Sequence, residues 1–454
     1  MSKVFALPQE AVADISDGAS IAISGFGLGS GVPTSLLLAA AELRVRNLTL
    51  VANGVGGPAG KMIENGLVSR LIVSFVQRPN VESAAGRRVS SGEIQFEMVP
   101  QGTLVERLRA GGAGIAGVYT PTGYGTPIAE GKEVREFDGK AYLFERAINV
   151  DYAFVTAYRA DPLGNLEFHG SSQHFNPSFA KAAQVAIAEV DDIVDVGDIP
   201  PDRVGLAGAF VARVVKRTVP MSTHSVGRYR RPSDAAREYN GKPAWTRAQM
   251  AERAAALLPD DSFVNLGLGI PTLVSNYLAG RDIRLHGENG ILGYGGIVEG
   301  EAVDPYVIDA GGNFVSSPPG TAYFDSVEAF EMVRSGKINV VCLGAYQVDQ
   351  AGNVANWSTP EIIGGGIGGA MDMVAGGATV MVLMEHRDSK DRAKLVRRCN
   401  YPLTGVSCVD IVVTDLAVLR RGADGFVLED VAPGFTADEV IELTEMEIRS
   451  AALR

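Results

Sequence analysis

The chain has 454 residues, 46% hydrophobic and 21% charged, and its formal charge of −12 without an aromatic-interleaved basic stripe argues against a nucleic-acid partner. No apolar run of about 18 residues is present to cross a membrane as a helix. The start Met1-Ser2-Lys3-Val4-Phe5 does not read as a signal peptide, and three cysteines without C-x-x-C and five histidines without H-x-x-x-H argue against a disulfide framework or a metal, so a reducing cytoplasm is expected.

Ser20 to Leu38 is a β-prone run, a glycine turn (Gly25-Phe26-Gly27-Leu28-Gly29-Ser30-Gly31) and then Pro33-Thr34 opening an apolar helix. The turn does not complete G-x-G-x-x-G, no acidic residue follows near position 50 and no Walker lysine is present, so dinucleotide and P-loop readings fail. Its glycines serve either tight packing or amides facing a ligand cleft. Leu48 to Ala52 reads as a strand ending on Asn53-Gly54, and Lys61 to Gly66 as a helix with an αL cap. Pro100-Gln101-Gly102-Thr103 reads as a turn and helix start. Residue type favours a solvated Gln101 over one reaching a ligand. Tyr119 to Thr126 sets two aromatics and three threonines among turn residues, as a pocket lining or a rigid surface loop.

Arg217 to Lys242 is basic and proline-containing and reads as a surface linker rather than a phosphate contact. Thr246 then caps a helix with Met250, Ala254, Ala255 and Leu258 on one face. Ser262 to Leu278 repeats the opening design, with a Gly267-Leu268-Gly269-Ile270-Pro271 turn and a second apolar helix expected. Asp349 to Val354 likewise echoes the turn Asp161 to Leu166. These landmarks lie farther apart in the first half, which places extra chain around Arg107 to Arg146. Alternating strand, glycine turn and helix predict an α/β fold of two related open, mostly parallel sheets, residues 1–216 and 243–454, joined by 217–242.

The strand-like Asp282 to His286 runs into Gly287-Glu288-Asn289-Gly290. A carboxylate on a tight turn at a strand end lies where open α/β sheets bind ligands and can act as a nucleophile towards an activated acyl group. The tripeptide alone is weak: Glu64-Asn65-Gly66 is a second copy, and a solvated turn residue is the bland alternative for Glu288. Gly364 to Asp372 begins with five glycines in six positions, which suits either a flexible loop or amides brought close to an oxyanion. The returning apolar residues favour a held loop. His386 reads as a strand-end residue. No G-x-S-x-G elbow occurs.

Four ordered segments make the chain resemble the family I coenzyme A transferases, in particular 3-oxoacid CoA-transferases with both subunits fused, from about Ala13 to about Glu445. They are Gly25-Phe26-Gly27 with Gly31-x-Pro33; Gln101-Gly102-Thr103 through Gly114 and Tyr119 to Thr126; Glu288-Asn289-Gly290; and Ala355-Asn356-Trp357 through Gly368-Gly369-Ala370-Met371-Asp372. The resemblance implies Glu288 as a nucleophile that forms an acyl anhydride and then a glutamyl-CoA thioester, with the Asn53 side chain and the Gly369 amide as oxyanion donors. It also implies Gly25, Phe26, Gly27, Gln101, Tyr119, Gly123, Gly267, Asn289, Gly290 and Gly368 around acyl-CoA. Coenzyme A would be a co-substrate with no bound cofactor, and the two-domain repeat is compatible with a homodimer. A CoA-ester hydrolase is the alternative on this fold. The chain departs from the pattern at Gly287 (usually Ser), Ser24 (usually Gly), Asp309-Ala310-Gly311-Gly312-Asn313 (no lysine) and Ser358-Thr359-Pro360-Glu361. These changes bear on the acyl and CoA contacts.

Overall fold

The computed structural model describes residues 2–27, 31–77, 83–221, 235–360 and 365–450. Leu28 to Ser30, Glu361, Gly364 and the basic cluster Arg228, Arg230, Arg231 and Pro232 lie outside the described residues.

In the first half a sheet runs in the order Val4–Phe5, Arg213–Lys216, Ala183–Ile193, Val150–Ala160, Ser20–Ile23, Leu48–Gly54, Val68–Phe75, Gln95–Met98. All of these neighbours are parallel, and Leu166–Glu167 adds an antiparallel strand to Val150–Ala160. The strands are apolar on both sides because both faces are covered. Ile21, Ile23, Leu50, Ala52, Leu71 and Val73 point into one core with the helices Thr34–Glu42, Gly57–Glu64 and Ala84–Ser90. Their neighbours Ala22, Val51 and Ile72 point the other way, into a core shared with the helices Gln101–Gly112 and Asn176–Lys181 and with the second half. Successive strand residues face opposite sides, so one run of β-branched sequence serves both cores.

The second sheet is ordered Ala322–Tyr323, Ile291–Leu292, Ile283–Gly287, Ser262–Leu266, Val340–Leu343, Thr379–Leu383, Ile411–Val413, Ala417–Gly422, Gly425–Val431, Ile448–Ser450. The five strands from Ile283–Gly287 to Ile411–Val413 are parallel, with antiparallel pairs beyond each end. Arg247–Leu257 lies on this sheet with Met250, Ala251, Ala254 and Ala255 buried; Thr246 accepts the Gln249 amide and Gln249 answers the Thr246 amide, a capping box that stabilises by about 1 kcal/mol.

Three expectations need correction. Pro271–Tyr277 is a 3-10 helix, not an α-helix like its first-half counterpart. The described ends of the 217–242 segment are tied down rather than lying free over the surface: the Arg217 side chain is buried beside Asp191 at 2.9 Å, and Glu238–Tyr239 pairs with Lys242–Pro243. The buried Tyr239 hydroxyl donates to Asp415 at 2.9 Å, because an aromatic ring and a cation with carboxylate partners gain more from docking than from solvation. The pocket-or-surface alternative for Tyr119 to Thr126 divides within the loop. Tyr119 and the three-stranded sheet Gly117–Thr120, Lys140–Arg146, Val134–Phe137 occupy the stretch of extra chain. Tyr119 packs there edge-on against Phe137 and tilted against Phe144, and donates to Glu133 at 2.6 Å, whereas Thr122 turns inwards.

Candidate active site

Glu288 follows the strand Ile283–Gly287 and opens a three-residue loop closed by the Gly287–Ile291 pair. The Gly290 amide donates to the Gly287 carbonyl at 2.9 Å. Gly290 has φ +99°, and a Cβ there would lie 2.0 Å from the Phe324 carbonyl, so the turn requires glycine. Asn289 is buried and donates from Nδ2 to the Ile308 carbonyl at 2.8 Å. That carbonyl also receives the Ser171 hydroxyl of the first half at 3.0 Å, so the turn is anchored where the halves meet. A Cβ on Gly287 would come within 2.7 Å of Asn289 Oδ1 and 2.9 Å of Ile291, which accounts locally for glycine in place of the usual serine.

The Glu288 side chain is half-buried and bonded to Asn265, rather than a freely solvated turn residue. Burial pushes its pKa above the ordinary value of 4.5, its own amide and Asn265 pull it down, and the Asp309 carboxylate pushes it up further. Asn265 is the penultimate residue of the strand Ser262–Leu266; its Nδ2 lies 3.1 Å from Glu288 Oε2, 3.1 Å from the His286 carbonyl and 3.2 Å from His286 Nδ1. Burial lowers the His286 pKa to about 4, so its ring is neutral. Asp309 is buried and held by Asn313, whose backbone amide donates at 2.8 Å and whose Nδ2 donates at 3.0 Å. The turns at Asp161–Asn165 and Asp349–Asn353 are tied in the same way.

A second group of polar residues gathers on the first half's strand ends. Asn53 is buried at the end of Leu48–Gly54; its Oδ1 accepts the Gly27 amide at 2.6 Å and Gln101 Nε2 at 3.2 Å. Its Nδ2 is sealed from solvent and has no partner among the described residues. Gln101 is buried in the first turn of Gln101–Gly112, not solvated in a preceding turn. Its amide donates to the Gly368 carbonyl at 3.0 Å, and a Cβ on Gly369 would lie 3.0 Å from Gln101 Oε1. The glycine segment is a held loop: Gly365 accepts the Val76 amide at 3.2 Å, and the Ile367 amide reaches Ser74 at 2.9 Å. Phe26 stacks on Phe175 at 5.5 Å behind Gly25 and Gly27.

The helix Ser326–Arg334 joins the two groups. Phe324, just before it, donates to the Gly290 carbonyl at 3.1 Å, and Ser326 donates to the His174 carbonyl of the first half at 2.9 Å. Farther along, Phe330 packs where a Cβ on Gly369 would meet it at 3.2 Å. Of the residues named from sequence, Glu288, Asn289 and Gly290 thus lie together on one turn, and Asn53, Gly27, Gln101, Gly368 and Gly369 lie together in a second group. Gly267 lies on the adjacent strand end, bonded to Cys342 at 2.8 Å. Tyr119 is not brought to the site, and Gly123 is a turn position at φ +81° beside Ile128. His386 is buried between Thr414 and Thr444, its pKa lowered to about 3 by burial. No His, Cys, Asp and Glu cluster suited to a metal occurs among the described residues.

Sequence reasoning missed Asn265, Asp309 and Asp372, each a lone polar residue in an apolar or glycine-rich stretch. It also missed a cavity of about 1070 Å³ whose lining sets Arg237, Arg247, Arg387, Lys390, Arg392 and Lys394 against Glu385, Asp388, Asp415 and Glu445. The cavity does not include Glu288 but lies along the same sheet edge, past the ends of Val340–Leu343, Thr379–Leu383 and Ile411–Val413. Burial depresses the Lys394 pKa against the opposing charges of Glu385, Asp415 and Asp388. The charge run Arg387 to Lys394 was the signal for it.

The coenzyme A transferase family model matches residues 5–217 and 247–443. The chain belongs to the coenzyme A transferase family. As a CoA-transferase it is an enzyme with coenzyme A as co-substrate. It is 38% identical over 470 residues to human succinyl-CoA:3-ketoacid coenzyme A transferase 2, mitochondrial, covering 98% of this chain and 89% of that one. The rat mitochondrial enzyme 2A is 37% identical, covering 96% of this chain and 88% of that one. One of the subunits of the succinyl-CoA:3-ketoacid transferase of Xanthomonas campestris pv. campestris (strain B100) is 44% identical, covering 45% of this chain and 85% of its own length. The fold is that of an Escherichia coli O157:H7 acyl-CoA transferase, at TM-score 0.80 and 22% identity over 99% of this chain and 94% of that one. No helix among the described residues is long and apolar enough to cross a membrane.

Proposed function

We propose that this CoA-transferase moves CoA between succinyl-CoA or a similar acyl-CoA and a 3-oxoacid or short carboxylic acid, through a covalent Glu288 intermediate. The reading is supported by a part-buried Glu288 carboxylate held by Asn265 on a strand-end turn, and by an unpartnered Asn53 Nδ2 donor among the first half's strand ends. The Glu288 carboxylate attacks the thioester carbonyl, CoA thiolate leaves, and an acyl-glutamyl anhydride forms. The thiolate attacks the glutamyl carbonyl, releasing the first acid and leaving glutamyl-CoA. The second acid's carboxylate attacks that thioester and expels thiolate. The thiolate then attacks the new anhydride at its acyl carbonyl, freeing the Glu288 carboxylate and the new acyl-CoA. Each tetrahedral stage places an oxyanion for Asn53 Nδ2 and the Gly369 amide. The partly desolvated carboxylate is a stronger nucleophile than one in water, and Asn265 orients it.

The cavity, with six basic residues against four acidic ones in its lining, suits the nucleotide phosphates of CoA, in place of the lysine absent at Gly312. Lys394→Met is expected to raise KM for acyl-CoA more than it lowers kcat. We read residues 1–216 and 243–454 as the counterparts of the two chains of a split transferase, the second carrying the catalytic glutamate. We read the assembly as a homodimer and the compartment as the cytoplasm. The three free cysteines agree with a reducing environment. Acceptor dependence tests the transfer: thioester absorbance stays constant while succinyl-CoA and acetoacetate exchange CoA. Free thiol released at the same rate without acceptor would make the protein a hydrolase.

A further inference from the structure

Asp372 comes from the second half, in the first turn of Ala370–Ala375, yet both its hydrogen-bond donors come from the first. Its Oδ2 accepts the Gly102 amide at 2.9 Å, and its Oδ1 accepts the Thr122 hydroxyl at 3.1 Å. The carboxyl is fully buried. Gly102 admits it only because glycine has no side chain: a Cβ there would lie 2.4 Å from Asp372 Oδ1 and 2.8 Å from Phe330. The residue before Gly102 is Gln101, which holds Asn53 Oδ1 through Nε2, holds the Gly368 carbonyl through its amide, and lies against Gly369. Arg334, ion-paired with Glu106, adds a second tie between the helices Ser326–Arg334 and Gln101–Gly112.

We propose that Asp372 is a positioning residue for catalysis: by clamping Gly102 and Thr122 across the junction of the two halves, it fixes Gln101 and hence the relative placement of the Asn53 and Gly369 donors. This rests on the oxyanion reading of Asn53 and Gly369. It also gives the Tyr119 to Thr126 loop a use, since Thr122 ties that loop to the clamp. A buried carboxylate holding two donors from another element stores geometry rather than net stability. Donor placement off by about 1 Å costs on the order of 10²-fold in rate.

The test is a kinetic cycle on the full chain with succinyl-CoA and acetoacetate, each variant normalised to its folded fraction. Asp372→Ala is expected to lower kcat about 10²-fold while KM for succinyl-CoA changes by less than about threefold. Asp372→Asn is expected to recover most of that loss, because its Oδ1 accepts the Gly102 amide and its Nδ2 donates to the Thr122 oxygen. Asn53→Asp with Asp372→Ala is expected to be little slower than Asn53→Asp alone, because both changes damage one device. Thr122→Val, which removes one hydroxyl, is expected to lower kcat in the same sense and serves if Asp372→Ala does not fold. The proposal is overturned if folded Asp372→Ala, or Thr122→Val in its place, keeps wild-type kcat. It is also overturned if Asp372→Asn is no better than Asp372→Ala, or if the two losses multiply. If Asn53→Asp alone costs nothing, the oxyanion reading fails and takes the proposal with it, a result separable from failure of the clamp alone.

Discussion

Replacing Asn53 by Asp removes the oxyanion donor while keeping an oxygen for Gly27 and Gln101, and places an acid in a buried site. Asn53 Oδ1 already accepts Gly27 and Gln101, and an aspartate oxygen accepts both equally well. What changes is Nδ2, a buried donor with no partner among the described residues. An orphaned buried donor costs about 1–3 kcal/mol, which the enzyme recovers only when an oxyanion takes the bond. Removing one such donor lowers kcat by about 10²–10³-fold, about 2.7–4 kcal/mol of transition-state stabilisation. Because the charge develops only in the tetrahedral stages, KM for acyl-CoA is expected to stay within about threefold of wild type. Rapid-quench formation of the protein–CoA adduct, with steady-state kcat alongside, measures the loss. A folded Asn53→Asp enzyme with wild-type kcat, or one whose loss lies entirely in KM, would refute the reasoning.

Two substitutions should move the acidic limb of the kcat/KM profile in opposite directions. Asn265→Ala removes a hydrogen bond that lowers the Glu288 pKa, so the limb moves up; Asp309→Asn removes a charge that raises it, so the limb moves down. The raised folded pKa also means that the neutral Glu288 acid stabilises the fold below the ordinary value of 4.5, and that this contribution is lost as pH rises through the folded pKa. Glu288→Gln is therefore expected to raise the unfolding free energy at pH 8 and not at pH 4, by about 1.4 kcal/mol for every pH unit that separates the folded pKa from the unfolded one, as denaturant titration at the two pH values reads. Gly290→Ala should lose both activity and stability, since its Cβ meets the Phe324 carbonyl at 2.0 Å in a left-handed backbone; circular dichroism melts and turnover report both. Thr246→Ala should destabilise by about 1 kcal/mol in denaturant titration with kcat unchanged, because only a helix cap is lost.

The fold was legible where local chemistry repeats. The strand, glycine turn and Pro-Thr of each half, the Thr246 cap and the Asp-Asn turns are all short-range devices, and short windows of sequence record them. The Pro271–Tyr277 segment read only as an apolar helix, because its apolar residues carry no signal that separates a 3-10 helix from a longer α-helix. Glu288 stood out through its turn residues, yet the turn is anchored by Phe324, Ile308 and Ser171, which no local pattern links to it. Gln101 read as solvated for the same reason: the loop that covers it begins more than two hundred positions later in the chain. Asp372 was invisible as a clamp because its donors belong to the other half. Tyr119 marks the opposite failure, where an unusual composition drew attention to a surface aromatic cluster.

The central claim, covalent catalysis by Glu288, is tested most directly by the intact mass of the protein after mixing with succinyl-CoA and no acceptor, beside Glu288→Ala. Wild type is expected to gain the mass of CoA less one water, to lose it when acetoacetate is added, and Glu288→Ala to gain nothing. Steady release of free CoA without any adduct, across a panel of acyl-CoA esters, would contradict the account and leave a hydrolase on the same fold.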